Sequence, residues 1–113
     1  MWIATKFGFY SIVQKQAPDE GGSDSFHVRA RVRTDLENVL TVTGLQQEIL
    51  EWPNADYRFR IVIDSEDLSH LMLVLVENLD YGNFKSMIAA TPGQRGKLHE
   101  YHKIWDVMAA LQK

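Results

Sequence analysis

Apolar and polar residues alternate from Tyr57 to Ile63: Tyr57, Phe59, Ile61 and Ile63 fall on one side, Arg58, Arg60 and Val62 on the other. This period of two predicts a strand with one buried face. The period then lengthens. Leu68, Leu71, Met72, Leu75, Val76 and Leu79 recur at helical spacing and predict an amphipathic helix laid over that strand. Between the two, Asp64-Ser65-Glu66-Asp67 supplies a helix start, with Ser65 as the expected N-cap and Glu66 and Asp67 suited to the positive end of the dipole. At about 1.5–3 kcal/mol per large apolar side chain fully buried, this unit furnishes a good part of the core.

Earlier segments repeat the theme. Residues 2–13 read as one long strand, with Ile3, Phe7, Phe9 and Val13 on one face and Trp2, Lys6, Tyr10 and Ile12 on the other. Gly8 interrupts it, which marks a bulge or a close backbone approach. Residues 14–25 are polar, carry Pro18, Gly21 and Gly22, and read as a long hairpin loop. Residues 26–33 alternate again: Phe26, Val28, Ala30 and Val32 against His27, Arg29, Arg31 and Arg33. Thr34 and Glu37 have the spacing of a capping box, opening a helix with Leu36, Val39 and Leu40 that ends near Gly44.

Pro53-Asn54 signals a turn just ahead of Tyr57, so residues 47–52 are read as a strand paired in a hairpin with 57–63. The expected register sets Trp52 opposite Tyr57, Leu50 opposite Phe59 and Glu51 opposite Arg58. Past Leu79, residues 80–83 form a turn. Phe84, Met87 and Ile88 then suggest one or two helical turns, stopped by Thr91-Pro92-Gly93. A last helix, about residues 95–112, carries Leu98, Tyr101, Ile104, Trp105, Met108 and Leu111 on a broad apolar face, suited to the domain or to a second chain. The expected fold is one α+β domain over residues 1–113. It has a four-stranded antiparallel sheet in the order ββαββα, helices on one face, and a C-terminal helix over 94–113.

Composition narrows the classes. The chain has 113 residues, 45% hydrophobic and 24% charged, which suits one ordinary globular domain. No apolar run approaches a membrane span, and no signal peptide is visible at Met1-Trp2-Ile3. The absence of cysteine removes disulfides and thiolate chemistry and fits a reducing cytoplasm. A net charge of −3 disfavours a general nucleic-acid coat, though it leaves room for a local basic patch.

Candidate chemistry centres on arginine. Arg29, Arg31, Arg33, Arg58 and Arg60 all lie opposite the apolar residues of two expected strands. If both strands share a sheet, these guanidinium groups share its outer face, and Lys6, Trp2 and Tyr10 join them. Such a face suits an anionic ligand, or a single nucleic-acid strand held by phosphate contact and stacking. It equally suits arginine stems packed on apolar surface, or ion pairs within the chain or across a homodimer. An enzyme acting on an anionic small molecule would add His27 or Tyr10 for proton transfer.

Other constellations are weaker. His99 and His102 sit at i, i+3 with no third ligand fixed, and a packed or exposed role suits them better than a metal. His70 has no evident partner. Asp64, Glu66 and Asp67 are explained as helix-start residues. Ser11, Ser65 and Ser86 lack a nucleophile elbow, and Gly93-Gln94-Arg95-Gly96 is not a phosphate loop. No cofactor, metal or catalytic residue is expected.

The opening MWIATKFGFYSIV, the strand ADYRFRIVI, the stretch NLDYGNFK at 78–85 and the ending IWDVMAALQ at 104–112 together resemble a small group of uncharacterised bacterial proteins of about this length. The resemblance implies a bacterial cytosolic protein and carries no assigned activity. In outline the strand–helix order is also similar to ferredoxin-like domains, a fold that hosts many functions. The expectation is a non-enzymatic binding or assembly module, a homodimer, with an anionic small molecule ranked above nucleic acid as ligand and no membrane partner.

Overall fold

The computed structural model describes residues 1–15 and 24–112, so the loop expected over 14–25 lies mostly outside the described residues. By its internal packing the chain divides into two compact units, Met1–Leu79 and Asp80–Lys113. The first is built on β1 (Trp2–Ala4), β2 (Phe9–Lys15), β3 (Ser25–Ala30), α1 (Arg33–Thr43), β4 (Leu50–Glu51), β5 (Phe59–Ile63) and α2 (Ser65–Glu77). The strands form one antiparallel sheet in the order β1-β2-β3-β5-β4. Because β3 and β4 both run antiparallel to β5, they are parallel to each other, with α1 in the connection between them.

The α+β class and the antiparallel sheet agree with the sequence pattern, but the described strands number five, not four. The difference lies in residues 2–13, which form a hairpin and not one strand. Thr5 drives the turn: its Oγ1 accepts from the amides of Phe7 and Gly8 and donates to the Gly8 carbonyl. A Cβ on Gly8 would lie 2.4 Å from Cγ of Asp35, so glycine is required there by a close approach, as its place in the pattern suggested. Asp35 is buried, and its Oδ2 accepts from the Phe9 amide at 3.2 Å. Tyr10 Oη donates to the Asp35 carbonyl at 2.6 Å, and Asn38 Nδ2 donates to the Phe7 carbonyl at 2.8 Å. The start of α1 is thereby stitched to the first hairpin.

Tyr10, Ile12, Val28, Ala30, Ile61 and Ile63 from the sheet meet Leu36 and Val39 of α1 and Leu71 and Leu75 of α2 in the core. Both helix starts differ from expectation. Val32, with no side-chain hydrogen bond, occupies the N-cap of α1, so Thr34 lies inside the helix and the capping box does not form. Asp64, not Ser65, caps α2, its side chain accepting from the Asp67 amide at 2.8 Å. The end of α1 is as expected: Gly44 takes a left-handed conformation (φ 74°) and its amide donates to the Leu40 carbonyl. His70, on α2, donates from Nε2 to the Thr43 carbonyl at 2.8 Å and ties the two helices. The inward stripe of α2 ends at Leu75; Val76 and Leu79 are exposed.

The second unit comprises α3 (Phe84–Ala90), a 3₁₀ turn at Arg95–Lys97 and α4 (Leu98–Ala109). The helical span after the Thr91-Pro92-Gly93 stop is thus shorter than the expected 95–112. Asn83 caps α3 by accepting from the Ser86 amide. Phe84 and Tyr101 join α3 to α4 edge to face, with ring centres 4.9 Å apart. Among the described residues no helix is long and apolar enough to cross a membrane.

Candidate functional site

Strand register decides which arginines meet. Trp2 pairs with Ser11, Ser11 with Arg29, Arg29 with Arg60, and Arg60 with Leu50. Directly opposed residues of neighbouring strands share a face. These five therefore form a row across the whole sheet, about 19 Å long at ~4.8 Å per strand. The core residues occupy the alternate positions, so Arg29 and Arg60 lie on the face turned away from α1 and α2.

Arg60 is almost wholly buried. Its guanidinium carbon lies 3.8 Å from the centre of the Trp52 ring, and Nη2 donates to the Tyr57 carbonyl at 3.1 Å. Nη1 stands 3.2 Å from Nδ1 of His27. Arginine can only donate, so Nδ1 accepts and the imidazole carries its proton on Nε2. His27 is itself fully buried, with Trp52 packed edge-on at 5.9 Å. A desolvated cation is costly unless it finds acceptors and a π face. Trp52, His27 and the Tyr57 carbonyl supply both, and Arg60 is a structural residue of this face.

Arg29 and Arg31 are arranged differently. Arg29 Nη2 donates to Ser11 Oγ at 2.6 Å, and its guanidinium carbon lies 4.7 Å from the Tyr57 ring centre. Arg31, exposed just past β3, lies 4.4 Å from the same ring centre and donates from Nη1 to the Asp56 carbonyl at 2.8 Å. One buried phenol ring therefore holds two guanidinium groups. Their charges lie within about one Debye length of each other at ~0.1 M salt. Among the described residues, neither has a carboxylate in ion-pair range.

The remaining expected site residues are elsewhere. Arg33 opens α1, because β3 stops at Ala30, and is exposed away from the strand pattern. Arg58 is exposed and bound to Glu51, Nη2 to Oε2 at 2.7 Å. Lys6 sits in the Thr5–Gly8 turn against the Phe7 ring. Tyr10 is completely buried on the helix-covered face, where it belongs to the core, and so cannot serve the arginines in proton transfer. Its placement was misread because alternation was counted through the turn, and a turn resets the parity of the next strand.

The hairpin register is likewise one residue from expectation. Glu51 stands opposite Phe59 and Leu50 opposite Arg60, and the Trp52 amide donates to the Arg58 carbonyl. That shift sends Trp52 to the arginine face. Sequence reasoning missed Trp52 and Tyr57 as the covers of this face; the signal was the affinity of guanidinium groups for aromatic rings. The two α4 histidines do not converge on a shared site. His102 Nδ1 is 3.2 Å from Lys85 Nζ, its Nε2 is 3.4 Å from Asp106 Oδ2, and its ring stacks on Trp105.

No protein-family model, curated protein or solved structure matches this chain.

Proposed function

We propose that this chain is a small non-enzymatic binding module whose Arg29–Tyr57–Arg31 group takes a phosphate or carboxylate of an anionic small molecule. The observation that carries the reading is the pair of guanidinium groups held against one buried ring with no acid in range among the described residues. An anion between them relieves their mutual repulsion. It also receives charge-assisted hydrogen bonds from side chains that Ser11 and the Asp56 carbonyl already hold in place. The proposal sets the module in a bacterial cytosol, a compartment that a cysteine-free chain suits. Its likeness in outline to ferredoxin-like domains is part of the reading and carries no activity.

Thermal unfolding with added inorganic phosphate, pyrophosphate or citrate, at ionic strength held constant with sodium chloride, tests this reading. Ligand at ~100 times its Kd should raise stability by about 2.7 kcal/mol. Arg31→Gln should weaken binding at least about 10-fold, the loss of a charged hydrogen bond, and Arg58→Gln should leave it unchanged. Equal stabilisation by chloride, or full binding in Arg31→Gln, defeats the proposal.

A second reading, single-stranded nucleic acid, is favoured by Trp2. Trp2 is 75% exposed and lies in the same cross-strand row as Arg29. An oligonucleotide contacting two phosphates should lose affinity with a log–log salt slope of about −1.4. A salt-independent or absent interaction removes this second reading.

A further inference from the structure

We propose that the Tyr57 hydroxyl is a third donor beside Arg29 and Arg31 and makes their site selective for a phosphate monoester over a carboxylate, a step that rests on the anion-binding reading above. Tyr57 is only 4% exposed, yet its Oη makes no hydrogen bond among the described residues. A hydroxyl withdrawn this far from bulk water is costly to leave without a partner. Tyr10 shows how the chain meets that need elsewhere: its Oη, equally buried, donates to the Asp35 carbonyl at 2.6 Å. At Tyr57 the donor is kept and no protein acceptor is supplied.

Holding two arginines does not explain the hydroxyl. The attraction of a cation to a ring face comes from the π system, which phenylalanine also has. Phe59 serves Arg58 in this way at 5.9 Å and Phe7 serves Lys6 at 5.7 Å. What tyrosine adds is a donor on the very ring that both guanidinium carbons face, 4.7 and 4.4 Å from its centre. Three donor groups therefore cluster around a single ring. Tyr57 is also fixed before any ligand arrives: its amide donates to Asp56 Oδ1 at 2.9 Å, and its carbonyl accepts from Arg60 Nη2 at 3.1 Å. Little ordering remains to be done on binding. A carboxylate has two oxygens, which two guanidinium forks already occupy. A phosphate monoester presents three acceptor oxygens, so one is left for the phenol. Its charge of about −1.5 to −2 near neutral pH also matches two guanidinium groups better than a single negative charge does.

Phenyl phosphate and benzoate share a ring and differ in the charged group, so they separate these cases. Calorimetric titration of the full chain at about pH 7.5, with ionic strength held constant, should show phenyl phosphate bound at least about 10-fold more tightly than benzoate. Tyr57→Phe keeps the ring under the arginines and removes only the donor. It should weaken phenyl phosphate at least about 10-fold, leave benzoate within about 2-fold, and unfold at the same urea concentration as wild type without ligand. Undiminished binding of phenyl phosphate to Tyr57→Phe, or an equal loss for both ligands, overturns the selectivity. So does a lower urea midpoint, which would give the hydroxyl to the fold. In each of those cases loss of phenyl phosphate binding in Arg31→Gln would keep the arginine site itself standing. Absence of binding of both compounds to the wild-type chain removes the anion reading and this one with it.

Discussion

Substituting Gly8 by alanine isolates the contact that fastens α1 to the first hairpin. The added methyl carbon would stand 2.4 Å from Cγ and 2.5 Å from Cβ of Asp35, far inside van der Waals contact. Relief requires the hairpin and helix to part, which costs about 1–3 kcal/mol as overpacking. Movement of Asp35 also gives up its hydrogen bond from the Phe9 amide, a further loss of about 1–3 kcal/mol for a bond to a charged group. The expected destabilisation is about 2–6 kcal/mol, read from urea unfolding by circular dichroism and tryptophan fluorescence. Combining Gly8→Ala with Asp35→Gly removes both colliding carbons. The helix-propensity cost of Asp35→Gly, about 1 kcal/mol at most, enters the single and the double variant alike and cancels, so the double variant should be at least about 1 kcal/mol more stable than the sum of the singles predicts. Asp35→Ala, which keeps Cβ, should rescue less. A Gly8→Ala protein within about 0.5 kcal/mol of wild type, or strictly additive effects, would refute the reasoning.

Trp52→Ala uncovers Arg60 and His27 and should cost about 2–3 kcal/mol in chemical unfolding, whereas Trp52→Phe keeps much of the cation–π contact and should cost less. Arg60→Met leaves the Tyr57 carbonyl and His27 Nδ1 without their donor and should lower stability by about 2–4 kcal/mol in the same assay. Arg58→Gln, at the exposed pair with Glu51, should change it by less than about 1 kcal/mol. Asp64→Ala should reduce stability by about 1 kcal/mol and Ser65→Ala by almost nothing, measured by thermal unfolding; the reverse order would return the N-cap of α2 to Ser65.

What the sequence makes legible here is what repeats with a fixed period. The alternation of 57–63 and of 26–30 placed β3 and β5 correctly and turned Arg29 and Arg60 to one side, because a buried face constrains every second residue. The stripe of Leu68, Leu71, Met72 and Leu75 located α2 for the same reason. Illegible parts are those set by single tertiary contacts. Thr5 and Asp35 together bend residues 2–13 into a hairpin, through a hydroxyl and a carboxylate separated by thirty positions in sequence. Continued alternation also carried the reading of β3 too far: Val32 and Arg33 fit the strand pattern, yet α1 has already begun at Arg33. In the candidate site, the sequence showed the cations but not their covers. Whether an arginine is open or enclosed depends on the register of a two-residue strand, and a slip of one position moved Trp52 across the sheet.

The outermost strands are unusually brief: three residues in β1 and two in β4. Each presents few main-chain groups of its own along the rim, and at β4 a charged clasp between Glu51 and Arg58 holds the final rung. Such margins offer an incoming polypeptide almost nothing to zip onto. What remains beside them is residues 13–15 of β2 and 61–63 of β5, which the two rim strands do not pair, so lateral growth of this sheet is confined to those short stretches.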